Sequence, residues 1–259
     1  MEVVILEKPS DVGRLAAGHV AEVVRAAPEA VIGLATGSSP AVIYADLARR
    51  VRAGEISFAL ATGFALDEYV GIPREDPQSY ASVISREVVG PLGFDPSRVR
   101  VPDGCSADVN QAAIEYDQAI AAAGGIDVQI LGIGANGHVG FNEPTSSFAS
   151  RTRVKTLAPR TREDNSRFFT DGSLVPIHCI TQGLGTILEA RQLVLVAQGA
   201  AKAEAIARAV EGPVSSMVPA SVLQLHPHAT VIVDEAAASQ LLLSDYYRYT
   251  FANKPTHLI

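Results

Sequence analysis

Short apolar runs separated by longer stretches of helical periodicity constrain this chain more than any other feature. The runs are VVIL at 3–6, VIGLA at 31–35, FALATGFAL at 58–66, a short one at 99–101, DVQILGIG at 127–134, HCIT at 178–181, LVLVA at 193–197 and TVIVD at 230–234. Runs with so little polar interruption read as strands buried on both faces. The segments between them predict helices over 10–26, 40–53, 79–89 and 108–123, with others among the later strands. The second of these takes Ser39 as N-cap, Pro40 in its first turn and Gly54 as its stop. Strands alternating with helices imply an α/β fold: a Rossmann-like open, mostly parallel sheet, helices on both faces, right-handed crossovers. No repeat, low-complexity run or linker divides residues 1–259, so a single domain is expected.

Composition narrows the function. At 47% hydrophobic and 19% charged the chain is neither disordered nor fibrous. Its two cysteines, Cys105 and Cys179, lie far apart and outside any C-x-x-C pair, which argues against a metal cluster or disulfide framework and fits a reducing, cytoplasmic setting. No apolar run approaches the ~18 residues of a membrane span, and the N-terminus does not read as a signal peptide. A net charge of −7 disfavours nucleic acid and anionic membrane as partners. Positive charge is concentrated instead in Arg151, Arg153, Lys155, Arg160, Arg162 and Arg167, against only Glu163 and Asp164. A small anionic substrate is expected to meet that stretch.

Ligands of open parallel sheets bind beyond the carboxyl ends of the strands, so the residues following each run matter most. ATGSSP at 35–40 opens a helix, and its backbone N–H groups with Thr36 and Ser38 suit an anion, although a plain capped turn needs no ligand. It lacks the G-K-[ST] of a nucleotide triphosphate loop. ALDEYVGI at 65–72 sets Asp67 and Glu68 at a strand mouth, where a desolvated carboxylate serves as a base or simply caps the next turn. GIGANGHVGFNEP at 132–144 gathers glycines around His138, with Asn136 and Glu143 close enough to orient its ring. A zinc site is not expected there, since one His stands without a second or a Cys. The basic stretch reads as a solvated loop or as a lid (about 151–172) offering Arg167 to a phosphate. Lys202, at a helix start, opposes the helix dipole unless an anion is present.

These strings, together with VKTL, TREDNSRFF, ITQGLGTILEAR and PASVLQLH, make the chain resemble the glucosamine-6-phosphate deaminase family along nearly its whole length. The resemblance implies conversion of glucosamine 6-phosphate and water into fructose 6-phosphate and ammonia, in amino-sugar catabolism, with no metal or organic cofactor. It assigns pyranose ring opening to His138, oriented by Glu143 and Asn136, and proton transfer from C2 to C1 to Asp67. Thr36, Gly37, Ser38, Arg167 and Lys202 match positions that hold the 6-phosphate, while Glu68 carries no assigned role and is read as structural. Some members have Asp where this chain has Asn136; Asn orients an imidazole without stabilising an imidazolium by charge. Some members are hexamers activated by N-acetylglucosamine 6-phosphate, and Ser146, Ser147, Arg153 and Lys155 match that effector site. The tail YYRYTFANKPTHLI instead looks like the smaller, unregulated members, so homo-oligomerisation and allostery stay open.

Two other readings compete. 6-Phosphogluconolactonases share the fold, the phosphate loop and a related G-x-G-x-[DN]-G-H string, but VGFNEP after the His and Asp67 in DEYVG point to the deaminases, because lactone hydrolysis moves no carbon-bound proton. The sugar-phosphate-sensing domain of certain transcription regulators carries an N-terminal helix-turn-helix, whereas a strand is expected here from residue 3. A galactosamine 6-phosphate deaminase would use the same residues.

Overall fold

In the computed structural model, which describes residues 1–169 and 174–255, the apolar runs become strands and the periodic segments helices. The strands are β1 (Glu2–Leu6), β2 (Val31–Leu34), β3 (Thr62–Ala65), β4 (Asp67–Tyr69), β5 (Val99–Arg100), β6 (Val128–Leu131), β7 (Arg153–Thr156), β8 (His178–Thr181), β9 (Gln192–Ala197) and β10 (Ala229–Asp234). The helices are α1 (Pro9–Ala26), α2 (Ser38–Arg52), α3 (Tyr80–Ile84), α4 (Gly90–Leu92), α5 (Val109–Ala122), α6 (Pro159–Asn165), α7 (Leu184–Leu188), α8 (Ala203–Val210) and α9 (Ser244–Ala252). A π-helical turn, Ser85–Val89, joins α3 to α4, so the helix expected over 79–89 runs to Leu92.

Seven strands form one parallel sheet in the order β1-β10-β9-β6-β2-β3-β5. Every residue of β2 and β6 is buried, as unbroken apolar runs require of strands covered on both faces. The order reverses between β2 and β6: the chain builds outward through β3 and β5, then returns to β6 and proceeds to β9 and β10. That reversal opens a crevice at the carboxyl ends of β2 and β6, where open α/β sheets bind ligands.

A second, three-stranded antiparallel sheet, β4-β8-β7, was not legible as such. HCIT forms β8, but it pairs with β4 (Asp67 opposite Thr181) and β7 (Arg153 opposite Thr181) and not with the main sheet. Its neighbours DEY and RVKT are short and charged, and carry none of the apolar signal of the parallel strands. Under this sheet lies a satellite core of Tyr69, Phe141, Leu157, Phe169, Val175 and Cys179.

Two boundaries differ from expectation. The run at 58–66 becomes a strand only from Thr62, because Phe58 turns inward against Phe94 (ring centroids 4.9 Å apart) and Leu60 turns out to solvent. Helix α2 begins at Ser38 with Gly37, not Ser39, at its N-cap; Gly37 has φ of 103°, a conformation that L side chains rarely adopt and that turns the strand end into the helix. Pro40 still falls in the first turn, where its missing N–H leaves no helical bond unmade.

Candidate active site

The crevice holds a cavity of about 320 Å³. Thr36, Gly37 and Ser38 line one end, at the N-terminus of α2, whose unpaired N–H groups and dipole favour an anion. Lys202 arrives from the turn after β9, which Asp234 ties down by accepting hydrogen bonds from Gly199 N at 3.0 and 3.1 Å and from Ala237 N at 2.8 Å. Arg167 comes from the short 3-10 turn after α6. Burial, and then the neighbouring Arg167 charge, lower the Lys202 pKa. Two cations facing one cavity are stabilised by an anion between them.

Of the six basic residues in that stretch, Arg167 lines the cavity, and Arg151, Arg160 and Arg162 are engaged elsewhere. Arg151 pairs with Asp117 at 2.8 Å and Glu189 at 2.6 Å, Arg160 with Asp164 at 3.1 Å, and Arg162 donates twice to the Val175 carbonyl. Residues 153–156 are strand β7, so the lid anticipated over 151–172 divides into a sheet-bound part and a helical part, α6 with its following turn. Residues 170–172 of that call lie outside the described residues.

At the mouth of β3, successive residues of β4 point to opposite sides, and the two acids separate. Glu68 caps α3: its carboxylate accepts from Tyr69 N at 2.8 Å, Tyr80 N at 2.9 Å and Ala81 N at 2.9 Å. Asp67 lines the cavity and accepts no hydrogen bond among the described residues. Burial, reinforced by the nearby Glu68 charge, pushes the Asp67 carboxyl up to about 8. A carboxyl so placed exchanges a proton near neutral pH.

His138 also lines the cavity. Gly134 permits this, since a Cβ there would come within 2.4 Å of three atoms of the imidazole ring. Nδ1 of His138 faces Glu143 Oε2 at 3.8 Å and has no closer partner. Asn136 does not touch the ring. It donates to Glu143 Oε2 at 2.7 Å and accepts from the His138 backbone N–H at 3.1 Å, so it acts through the carboxylate and the loop. Ala158 N donates to Glu143 Oε1 at 3.1 Å and fixes the other oxygen. Burial lowers the His138 pKa more than Glu143 raises it, which favours the uncharged ring.

Ser146, Ser147, Arg153 and Lys155 lie outside this cavity. Arg153 donates to Asn142 Oδ1 at 2.9 Å, and Ser146 is buried with its hydroxyl unpartnered among the described residues. Tyr69, Tyr80 and Asn165, which the motifs had not singled out, do line the cavity. Tyr69 and Asn165 sit inside DEYVG and TREDNSRFF, so the strings contained them, but Tyr80 carries no sequence signal beyond its neighbourhood. Among the described residues, no three His, Cys, Asp or Glu side chains gather as a metal site would require.

The chain belongs to the family of glucosamine-6-phosphate isomerases and 6-phosphogluconolactonases, whose model matches residues 8–232. Within that family it is similar to proteins named glucosamine-6-phosphate deaminase: 56% identical to that of Pseudarthrobacter chlorophenolicus over 99% of this chain and 98% of the relative, and 56% to that of Streptomyces coelicolor over 98% of each. A solved structure described as a monomeric glucosamine-6-phosphate deaminase matches with a TM-score of 0.90 at 39% identity, covering 93% of this chain and all of the other. 6-Phosphogluconolactonase from Trypanosoma cruzi matches with a TM-score of 0.74 at 19% identity over 93% of this chain and 97% of the other, a likeness of fold.

Proposed function

We propose that the chain is an enzyme that converts glucosamine 6-phosphate and water into fructose 6-phosphate and ammonia. The observation that carries this reading is the placement of the His138 imidazole and the unpartnered Asp67 carboxyl on one cavity that Thr36, Gly37, Ser38, Arg167 and Lys202 also line. The cradle of Thr36, Gly37, Ser38, Arg167 and Lys202 takes the 6-phosphate and fixes the sugar's register. His138 moves a proton from the anomeric hydroxyl to the ring oxygen, opening the pyranose, and Glu143 supports the imidazolium that forms. Asn136 is a positioning residue for both. Asp67 then removes the C2 proton and returns it at C1, leaving an imine at C2 that water hydrolyses to ketone and ammonia. The substrate's own ammonium helps: a cation beside Asp67 favours its ionised form, so binding prepares the base.

The relatives' names support this reading over the lactonase alternative, and so does Asp67, for which lactone hydrolysis has no use. Ammonia and fructose 6-phosphate released in equal amounts from glucosamine 6-phosphate would support it. Hydrolysis of 6-phosphogluconolactone without ammonia release would overturn it, and silence on both would favour a sugar-phosphate sensor. Galactosamine 6-phosphate in a parallel assay decides the C4 preference. Ser146, Ser147, Arg153 and Lys155 stand as effector candidates, and a rate change on adding N-acetylglucosamine 6-phosphate tests them together with the homo-oligomer such a site implies. No helix among the described residues is long and apolar enough to cross a membrane. With free Cys105 and Cys179 and a net charge of −7, this supports action in the cytoplasm.

A further inference from the structure

Three cations line the cavity among the described residues, and the reaction scheme uses only two of them, Arg167 and Lys202. The third, Arg86, comes from the π-helical turn Ser85–Val89, which packs against α2, the helix whose start carries Gly37 and Ser38. Tyr80, Val83 and Glu87 form a helical stripe along the same wall, while Ile84, Val88 and Val89 turn into the core. In an α-helix, consecutive residues do not face each other. Within the wider π turn Arg86 and Glu87 do: Nη2 of the arginine donates to Oε1 of the glutamate at 2.9 Å, and both side chains reach the cavity.

That pair is loosely held. Its side chains are 56% and 44% exposed, and exposed ion pairs contribute little to stability. A phosphate dianion carries more charge than a carboxylate and presents its oxygens to both arms of the guanidinium fork. An anion seated at Thr36, Gly37 and Ser38 therefore competes with Glu87 for Arg86 from a favoured position. Glu87 plays the opposite part. While Arg86 faces it, the rim of the cavity is locally neutral; once Arg86 turns to the anion, the carboxylate is a like charge beside it and weakens the hold. The two residues act on one anion with opposite sign.

We propose that Arg86 is a third ligand of the substrate's phosphate, handed over from Glu87 on binding, and that this pair sets how tightly the phosphate is held. The inference rests on the reading that Thr36, Gly37, Ser38, Arg167 and Lys202 hold a phosphate. Calorimetry with inorganic phosphate on the full chain tests it, followed by kcat and KM for glucosamine 6-phosphate. Arg86→Gln should weaken phosphate binding about threefold to tenfold, the scale of one charge-assisted bond at a half-exposed position, and raise KM by a similar factor with kcat unchanged. Glu87→Gln should tighten phosphate binding by about twofold to fivefold, because the competing carboxylate is gone. Arg14→Gln removes the same charge from an exposed pair with Asp11 outside the cavity, and solvent screening should keep its phosphate affinity within about twofold of the unaltered protein's. Unchanged phosphate binding in Arg86→Gln would overturn the proposal. So would weaker binding in both Arg86→Gln and Glu87→Gln, which would make the pair a brace of the π turn, and so would an equal loss in Arg14→Gln, which would assign the effect to overall charge. If the unaltered protein binds no phosphate, the cradle reading falls and this inference with it. If Arg167→Ala weakens phosphate binding and Arg86→Gln does not, the cradle stands and this inference alone falls.

Discussion

Replacing Asp67 with Asn should stabilise the protein, and do so increasingly as pH rises. The carboxyl is 6% exposed, accepts no hydrogen bond among the described residues and has a pKa pushed from 3.8 to about 8, by burial first and by Glu68 second. Below about pH 4 the folded and unfolded chains both carry the proton, and the group costs nothing. Between about 4 and 8 the unfolded chain has released a proton that the folded chain keeps. Stability therefore falls by up to about 1.4 kcal/mol per pH unit, and above about 8 the loss is complete. A shift of about four units sets a ceiling of roughly 6 kcal/mol. Urea unfolding of both proteins at pH 5 and pH 9 measures it: the advantage of Asp67→Asn should grow by at least about 1.5 kcal/mol between the two, while deamination falls by about 10²-fold or more. An advantage that is equal at both pH values, or absent, would refute the claim that this carboxylate is buried without compensation. Near-normal turnover in the variant would refute its assignment as the base.

The same carboxyl predicts that kcat/KM of the unaltered enzyme rises with pH up to about 8, and that kcat, measured with the substrate's ammonium in place, reaches its plateau at lower pH. Glu68→Ala should cost about 2–4 kcal/mol in urea unfolding, since it strands three backbone N–H groups, and Glu68→Gln less, because its amide oxygen still accepts. Arg167→Ala should raise KM for glucosamine 6-phosphate about 10–100-fold, the worth of a charge-assisted bond, whereas Arg162→Ala, whose guanidinium serves the Val175 carbonyl, should lower stability and spare KM. Similar KM effects in both would refute the distinction between Arg167 and Arg162.

The parallel sheet was legible because its strands are buried on both faces and bear unbroken apolar runs; the antiparallel one was hidden because DEY and RVKT owe their pairing to tertiary position. The glycine-bearing loops at 35–40 and 132–144 stood out at their strand ends for a related reason. Glycines crowded beside a strand end signal close backbone approach, and Gly134 proves to be what lets the imidazole lie against the loop. What sequence could not apportion was charge. Six basic residues in 151–167 look alike in a string, yet Arg151 is neutralised by Asp117 and Glu189, residues far off in the chain. Tyr80 was invisible because its place depends on side chains of other elements, the Tyr69 hydroxyl it meets and the Tyr69 and Phe141 rings it packs against.

The adjacent acids show how little local chemistry separates a structural carboxylate from a reactive one. Asp67 and Glu68 share a strand, and burial is the first cause of the raised pKa of each. Alternation along β4 sends one to each side. Glu68 then meets two opening N–H groups of α3, which with Tyr69 N of its own strand offset its burial with three hydrogen bonds. Asp67 meets an open cavity and receives none. If α3 began one residue earlier or later, the strand's period of two and the helix's fixed start would fall out of register, and Glu68 would lose its donors while Asp67 stayed as it is. The Asp67 carboxyl thus depends on no local hydrogen bond among the described residues. It is held in place by the pairing of β4 with β8, and its unpaired state persists because the surrounding fold, including the neighbouring acid's own cap, is secured independently of it. The second carboxylate in the same run is not redundant: it ties the start of α3, and with it Tyr80, against β4 and so fixes one wall of the cavity.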